Sequence, residues 1–213
     1  MGDETFAAFE GVVSDEASLR EVLGQPMALA VDKVIDHIDD FSRAIIEKSP
    51  FALLASASSN AYPDVSPKGD PAGFVRVIDR KFIAIPDRPG NRRGDTLTNL
   101  LDNPYLAVIF LIPGKGETLR VSGECRVVRD RALRESMAVN DRVPDLAIVM
   151  HVERVMIHCP KCVARSRLWD PEAWPDASGL PNVAQAMIAH TKTDMTPEEL
   201  GEVAVKEDVV RLY

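Results

Sequence analysis

The spacing of apolar positions divides the chain into a helical beginning, a β-rich middle and a helical end. Ser14 is placed to cap a short helix running to Gly24, with Asp15 and Glu16 in the first turn, where acidic side chains complement the exposed N–H groups. A longer helix is expected next. Val31, Val34, Ile35, Ile38, Phe41 and Ile45 fall on one stripe, most of the aspartates between them fall off it, and Ser49-Pro50 stops it. His37 lies beside that stripe as a half-buried or solvated side chain, since no second ligand-type residue stands at helical spacing from it.

After Pro50 the period shortens to that of strands. FALLASA (51–57), residues 64–67, FVRVI (74–78) and KFIAI (81–85) are separated by SSNAYP, KGDPAG and DRK, all rich in turn-forming residues. A helix with Asn91 as its N-cap and Leu97, Leu100 and Leu101 on its buried face is expected to end at Asn103-Pro104. Strands over 105–112 and 117–129, a helix over 132–140 and a strand over 146–159 follow. Gly114 and Gly116 read as hairpin-turn glycines, because the lysine and hydroxyl of a phosphate loop are missing. Strands joined mostly by short turns predict a mainly antiparallel sheet, closed or nearly closed into a barrel, with flanking helices. Beyond it come a Trp/Pro-rich loop, a short helix over 183–189, and a final helix opened by the capping box Thr196-Pro197-Glu198-Glu199. On that last helix Leu200, Val203 and Val205 are candidates to dock on the barrel or on a second copy. His190, near a helix end, reads as solvated.

Composition narrows the function. With 213 residues, 46% of them hydrophobic, the chain reads as one large domain: N-terminal helices over 1–49, a barrel over 50–159 and a helical extension over 160–213. A net charge of -8 argues against a nucleic-acid or anionic-membrane partner, so any anion must be held by a local cluster of cations. No apolar run approaches the roughly 18 residues of a membrane span, and the opening MGDETFAAFEG has no signal-peptide pattern. Phe6 stands where a myristoylation signal at Gly2 would want Ser or Thr. A cytoplasmic protein with reduced thiols is expected, as three cysteines are an odd number.

Against that acidic background the stretch DRPGNRRGDTLTNLL (87–101) is the most informative. Arg92 and Arg93 fall in the expected first helical turn, the end of a helix that is already electropositive and disfavours cations by roughly 0.3–1 kcal/mol. Free N–H groups and two guanidiniums would hold a phosphate dianion; otherwise the arginines are solvated or paired with Asp87 and Asp95. The run His158-Cys159-Pro160-Lys161-Cys162 carries half of a zinc-knuckle pattern, with His151 and Cys125 as imaginable further ligands. A second Cys-x-x-C is missing, and a thioredoxin-type redox dithiol lacks its strand and helix order. The reading adopted is a strand-to-helix turn with Pro160 at the first helical position, two small buried thiols and no metal.

The stretches AYPDVSPKGDPAGFV and FIAIPDRPGNRRGDTLTNLLDNPYLAVIFLIPGKGETLRVSGECRVV resemble the FMN-binding split barrel of pyridoxamine 5'-phosphate oxidase and its relatives over roughly residues 50–129. The resemblance implies an antiparallel split β-barrel and a homodimer with FMN at the subunit interface. It assigns Val65, Ser66, Pro67 and Lys68 to a strand along the flavin, Ile85 and Pro86 to a second contact, and Asn91, Arg92 and Arg93 to the phosphate grip. Thr118 and Arg120 match a strand that reaches the cofactor from the partner, and Arg165 and Trp169 match a later Arg/Trp cluster. Read without the resemblance, Lys68 and Arg120 are surface charges and Trp169 a core anchor.

The chain departs from the family at the substrate. A Tyr-x-x-x-Arg-x-x-x-Ser run is replaced around Arg142 by Ala138 and Leu146, and an Arg-x-His by Arg165-Ser166-Arg167. This argues against pyridoxamine phosphate as substrate while leaving the flavin site intact. The expected activity is an FMN-dependent oxidoreductase, with hydride passing through flavin N5 to or from a small molecule and no catalytic acid or base identified. The alternative is a non-catalytic module that stores or senses flavin or haem.

Overall fold

A computed structural model describes residues 4–213, so the expectations about Gly2 and the chain start fall partly outside the described residues. Two compact units are separated, Met1–Val34 and Ile35–Tyr213. The first carries a 3-10 turn and two helices, α1 (Glu16–Leu23) and α2 (Ala28–Asp32), neither with a buried residue. The cap of α1 is Asp15 rather than Ser14. The Asp15 carboxylate accepts from the Ser18 amide at 2.9 Å, and Gly24, at φ 70°, closes the other end through its N–H to Arg20 O at 2.8 Å.

In the second unit the expected long helix is broken. The Ile35 N–H donates to Val155 O (3.1 Å) and the Val155 N–H to Ile35 O (2.7 Å), while the Ile38 N–H reaches Arg80 O (2.8 Å), so this stretch is hydrogen-bonded outside any helix. Helix α3 (Asp40–Lys48) starts only where the Asp39 carboxylate accepts from the Ser42 amide. The buried face runs through Ile38, Ser42 and Ile46, leaving Phe41, assigned to the apolar stripe from its spacing, 80% exposed.

The strands are β1 (Phe51–Ala57), β2 (Pro63–Gly69), β3 (Arg76–Val77) and β4 (Phe82–Asp87), then, after helix α4 (Asp95–Asp102), β5 (Tyr105–Leu111) and β6 (Thr118–Val128). Helix α5 (Arg131–Ser136) precedes β7 (Leu146–His158). It ends earlier than expected because Asn140 and Asp141 take left-handed conformations (φ 49° and 60°) in a tight turn bridged by Val139 and Arg142. The seven strands form one antiparallel sheet in the order β2-β1-β5-β6-β7-β4-β3. With β2 and β3 as its two edges the sheet is a split barrel rather than a closed one.

Alternation sends Leu54, Val108, Phe110, Val121, Ile85 and Met150 into one core. A bulge interrupts it: Ser122 pairs with Arg154 but Gly123 with Val152, leaving Glu153 as the extra residue. Any Cβ on Gly123 would collide with the His151 carbonyl oxygen, so the position is closed to side chains. Helix α4 covers the core with Thr96 and Leu100, while Leu101, expected on that face, is 77% exposed.

The chain ends in α6 (Lys161–Ser166), a 3-10 turn, α7 (Val183–Thr191) and α8 (Pro197–Lys206), the last two opened by complete capping boxes at Asn182/Gln185 and Thr196/Glu199. Leu200 is half-buried, and Val203 and Val205 are exposed. Cys159 and Cys162, expected to be buried, are both exposed; Cys125 is buried and its thiol is pushed up to about 12 by burial. Among the described residues no helix is long and apolar enough to cross a membrane.

Substituting Gly123→Ala forces β6 and β7 apart at the bulge and is expected to cost about 3 kcal/mol, read as a lower denaturant midpoint.

Candidate functional site

The two sides of the split meet without a strand ladder, and charged side chains join them. Lys68 near the end of β2 lies 3.7 Å from Asp87 at the end of β4, and just beyond the two strands Arg88 Nε donates to Asp70 at 2.6 Å. Only 1% of the Asp70 side chain and 14% of that of Arg88 are exposed. The same guanidinium donates to Met137 O at 2.8 Å, and the Tyr213 hydroxyl donates to the second Asp70 oxygen at 2.7 Å while its ring lies over Arg88. Both carboxylate oxygens are thereby satisfied, and two nitrogens of the guanidinium have acceptors, which is what makes such a buried pair tolerable.

Around this junction opens a cleft of about 650 Å³. One wall is β2, an edge strand, so half of its backbone polar groups are not used by β1. The floor is the loop from Asp87 to Gly94 and the start of α4; the remaining wall is residues 142–146 together with Asp208, Arg211 and Tyr213 from the chain end. Lys68, Arg88, Arg92, Arg93, Arg142 and Arg211 all line it. In a chain of net charge -8 this concentration of cations is local, facing five aspartates in the same lining.

The loop corrects one expectation. Helix α4 begins at Asp95 with Gly94 (φ 67°) as its cap, so Arg92 and Arg93 precede the helix instead of occupying its first turn. Asn91 is not the cap; its side chain accepts from the Arg93 amide at 3.1 Å, and Arg92 is held at φ 60°. No side chain caps α4, whose first residues Asp95, Thr96 and Leu97 face the cleft with their N–H groups unclaimed by a capping oxygen. Both arginines are about two-thirds exposed and already engaged: Arg93 pairs with Asp95 at 2.7 Å, and Arg92 donates to Glu207 O at 2.9 Å beside the Glu207 carboxylate. Asp87 is the cleft acid with a raised pKa. Burial pushes it up, Lys68 opposes the shift, and Asp145 adds to it.

The sequence profile of the family described as Pyridoxamine 5'-phosphate oxidase matches residues 38–159, more than half of the chain. The chain belongs to the pyridoxamine 5'-phosphate oxidase family. Similar solved structures include HupZ from Group A Streptococcus, at 22% identity over 55% of this chain and 91% of that chain, with a TM-score of 0.45. A Clostridium acetobutylicum protein related to general stress protein 26, of the pyridoxinephosphate oxidase family, matches at 19% identity over 57% of this chain and 91% of its own, with a TM-score of 0.40. HutZ, the heme storage protein from Vibrio cholerae, matches at 14% identity over 55% and 90%, with a TM-score of 0.38. No curated protein matches the chain.

Of the residues that the likeness to this oxidase family singles out, Val65, Ser66, Pro67, Lys68, Asn91, Arg92 and Arg93 come together in the cleft. Ile85 and Pro86 are buried in β4, paired with Ile148 and Ala147, just before the strand reaches it. Thr118, Arg120, Arg165 and Trp169 lie elsewhere. Leu146, at one end of β7, lines the cleft, whereas Thr118 pairs with His158 at the other end and Arg120 with Met156. A strand rising about 3.3 Å per residue sets these groups on the order of 35 Å apart within one chain. Trp169 donates to Lys115 O at 2.8 Å at that far end. Sequence reasoning missed Arg88, Asp70 and Tyr213. Arg88 is overshadowed by the double arginine that follows it, which carries the charge anomaly; nothing in the spacing of Asp70 or Tyr213 links them to it.

Two measurements probe the junction. Asp70→Ala leaves Arg88 buried without its carboxylate and is expected to lose about 3 kcal/mol of stability, measured by urea unfolding. A carboxyl with a raised folded pKa binds its proton more tightly folded than unfolded, so the charge of Asp87 costs stability above that pKa and the cost fades on acidification. Asp87→Asn should therefore melt about 1–3 °C above wild type at pH 7, with the gap closing as pH falls through the folded pKa, followed by thermal scans across pH.

Proposed function

We propose that the cleft holds FMN and that the protein is an FMN-dependent oxidoreductase acting on a small molecule. The observation that carries this is the convergence, in an acidic chain, of Arg92, Arg93 and the uncapped start of α4 on one cleft walled by an edge strand. A phosphate monoester dianion matches that donor set, and the pairs Arg92–Glu207 and Arg93–Asp95, being exposed, are weak enough for it to displace. The β2 segment from Val65 to Lys68 offers main-chain donors and acceptors for the polar edge of the flavin ring. When bound, FMN supplies hydride transfer at its N5; the protein binds, orients and shields it.

This reading takes residues 1–213 as one FMN-binding chain working as a cytoplasmic homodimer. Thr118 and Arg120 on β6, paired with the far end of β7, and Arg165 and Trp169 beyond that end lie too far from the cleft of their own chain, so a second copy is what would bring them to it. The net charge of -8 favours neither nucleic acid nor an anionic membrane as partner. Leu146, which lines the cleft where the family's substrate motif carries serine, argues for a substrate other than pyridoxamine phosphate. A second reading has its own observation: among the described residues lining the cleft there is neither histidine nor cysteine, which favours a module that keeps flavin without turnover. For haem, Tyr213 is the lining side chain of a type able to ligate the iron.

Purified protein is expected to be yellow or to take up added FMN, and the double variant Arg92→Ala/Arg93→Ala to fold normally yet bind FMN about 100-fold more weakly by fluorescence titration. Wild type that is colourless and ignores FMN overturns the cofactor assignment. Reduction of the bound flavin by NADPH or another hydride donor, followed by reoxidation, distinguishes the enzyme from the storage module.

A further inference from the structure

The Cys-Pro-Lys-Cys run is used by nothing in the cleft; the structure keeps the strand-to-helix turn expected of it but leaves both thiols exposed. Strand β7 ends at His158, Pro160 sits at φ -76° and ψ 3°, and α6 starts at Lys161, its first turn closed by the Ala164 N–H on Pro160 O at 2.8 Å. Strand, tight turn and helix thus follow one another directly, with Pro160 as the cap of α6 rather than its first residue. A residue in that conformation followed by a helical one reverses the chain, so that Cα atoms three apart come within about 7 Å, the upper limit at which a disulfide can close. Cys159 and Cys162 are the two ends of this turn, and both are exposed. The turn is held from beneath as well: a Cβ on Gly116 would come 2.6 Å from Pro160 Cβ, so the hairpin before β6 sits directly against the proline.

We propose that Cys159 and Cys162 form a reversible, solvent-facing dithiol/disulfide couple that exchanges with disulfides of the glutathione class. One cysteine thiolate attacks the external disulfide, forming a mixed disulfide and releasing one thiol. The second cysteine attacks the mixed disulfide, closing the Cys159–Cys162 bond and releasing the other thiol. The protein loses two electrons and two protons, and the external disulfide gains them. Cys125 takes no part, being buried in the core. Metal capture fits the site less well: two thiols are half of a tetrahedral set, and among the described residues no third Cys, His, Asp or Glu joins them in a cluster.

The test uses the full chain equilibrated in glutathione buffers of graded oxidised fraction, with thiols trapped by alkylation and mapped by mass spectrometry. Wild type should lose both alkylatable groups at Cys159 and Cys162 together, with a mass lower by two hydrogens, no dimer on a non-reducing gel, and full reversal by dithiothreitol. Cys159→Ser and Cys162→Ser, both changes at exposed positions, should instead take up one glutathione each. That adduct should require at least about tenfold more oxidised glutathione than closure in the wild type, because the second thiol acts at high effective concentration. Wild type whose two thiols remain free in the most oxidising buffer, carry separate adducts, or link only between molecules would overturn the proposal. None of these readouts depends on flavin.

Discussion

A buried ion pair substitutes for the missing strand ladder of this barrel. The sheet curls until β2 faces β4, and at that seam Arg88 and Asp70 meet at 2.6 Å almost out of water, with Lys68 and Asp87 alongside. A ladder between β2 and β4 would have bonded them continuously and left no room. Among the described residues, ion pairs of side chains join them at the Lys68–Asp70 end, beside the cleft of about 650 Å³. The arrangement is costly in desolvation and tolerable only because Met137 O and the Tyr213 hydroxyl complete the pair's hydrogen bonds. Stability and the open cleft are therefore two results of one arrangement at the seam.

The strands were legible because their cause is local. FALLASA is β1 to the residue, and the runs at 105–112 and 146–159 are β5 and β7 to within one. The helices were legible where their caps were, as at Thr196, and misread where a nearby partner outbid the periodicity. Nothing between Val31 and Ile45 announces that Ile35 will pair with Val155 far along the chain, and that pairing is what ends the apparent long helix. The same holds at the cleft. The double arginine could be singled out because it breaks a charge preference, yet its place before rather than inside α4 was hidden, since Gly94 as cap competes with Asn91 on geometry that only the folded loop decides. Asp70 and Tyr213, 143 residues apart, come together through the whole fold and leave no trace in any window of sequence.

The cleft's electrostatics follow from this loop. Holding Arg92 at φ 60° stores strain that a plain helix start would avoid, and with Gly94 at φ 67° it turns two guanidiniums and an uncapped helix end toward the same space. Exposed carboxylates from Asp95 and Glu207 balance those charges loosely, in contrast to the tight, shielded pair at the seam. Firm charges thus fix the architecture, and the labile ones are left able to exchange partners.

The bulge at Glu153 has a reach that its size conceals. Up to that point the even-numbered residues of β7, Ile148, Met150 and Val152, point to the core; beyond it Val155 does, because one supernumerary residue has reversed the parity of the strand. Deleting that single residue would set Arg154 directly after Val152 in an unbroken ladder, with Val155 still inward, so what would be lost is the bend of the strand and not the facing of its side chains. Length at this point consequently governs curvature: exchanging the side chain of Glu153 leaves the bend in place, whereas dropping the residue straightens β7 without turning its core side chains out.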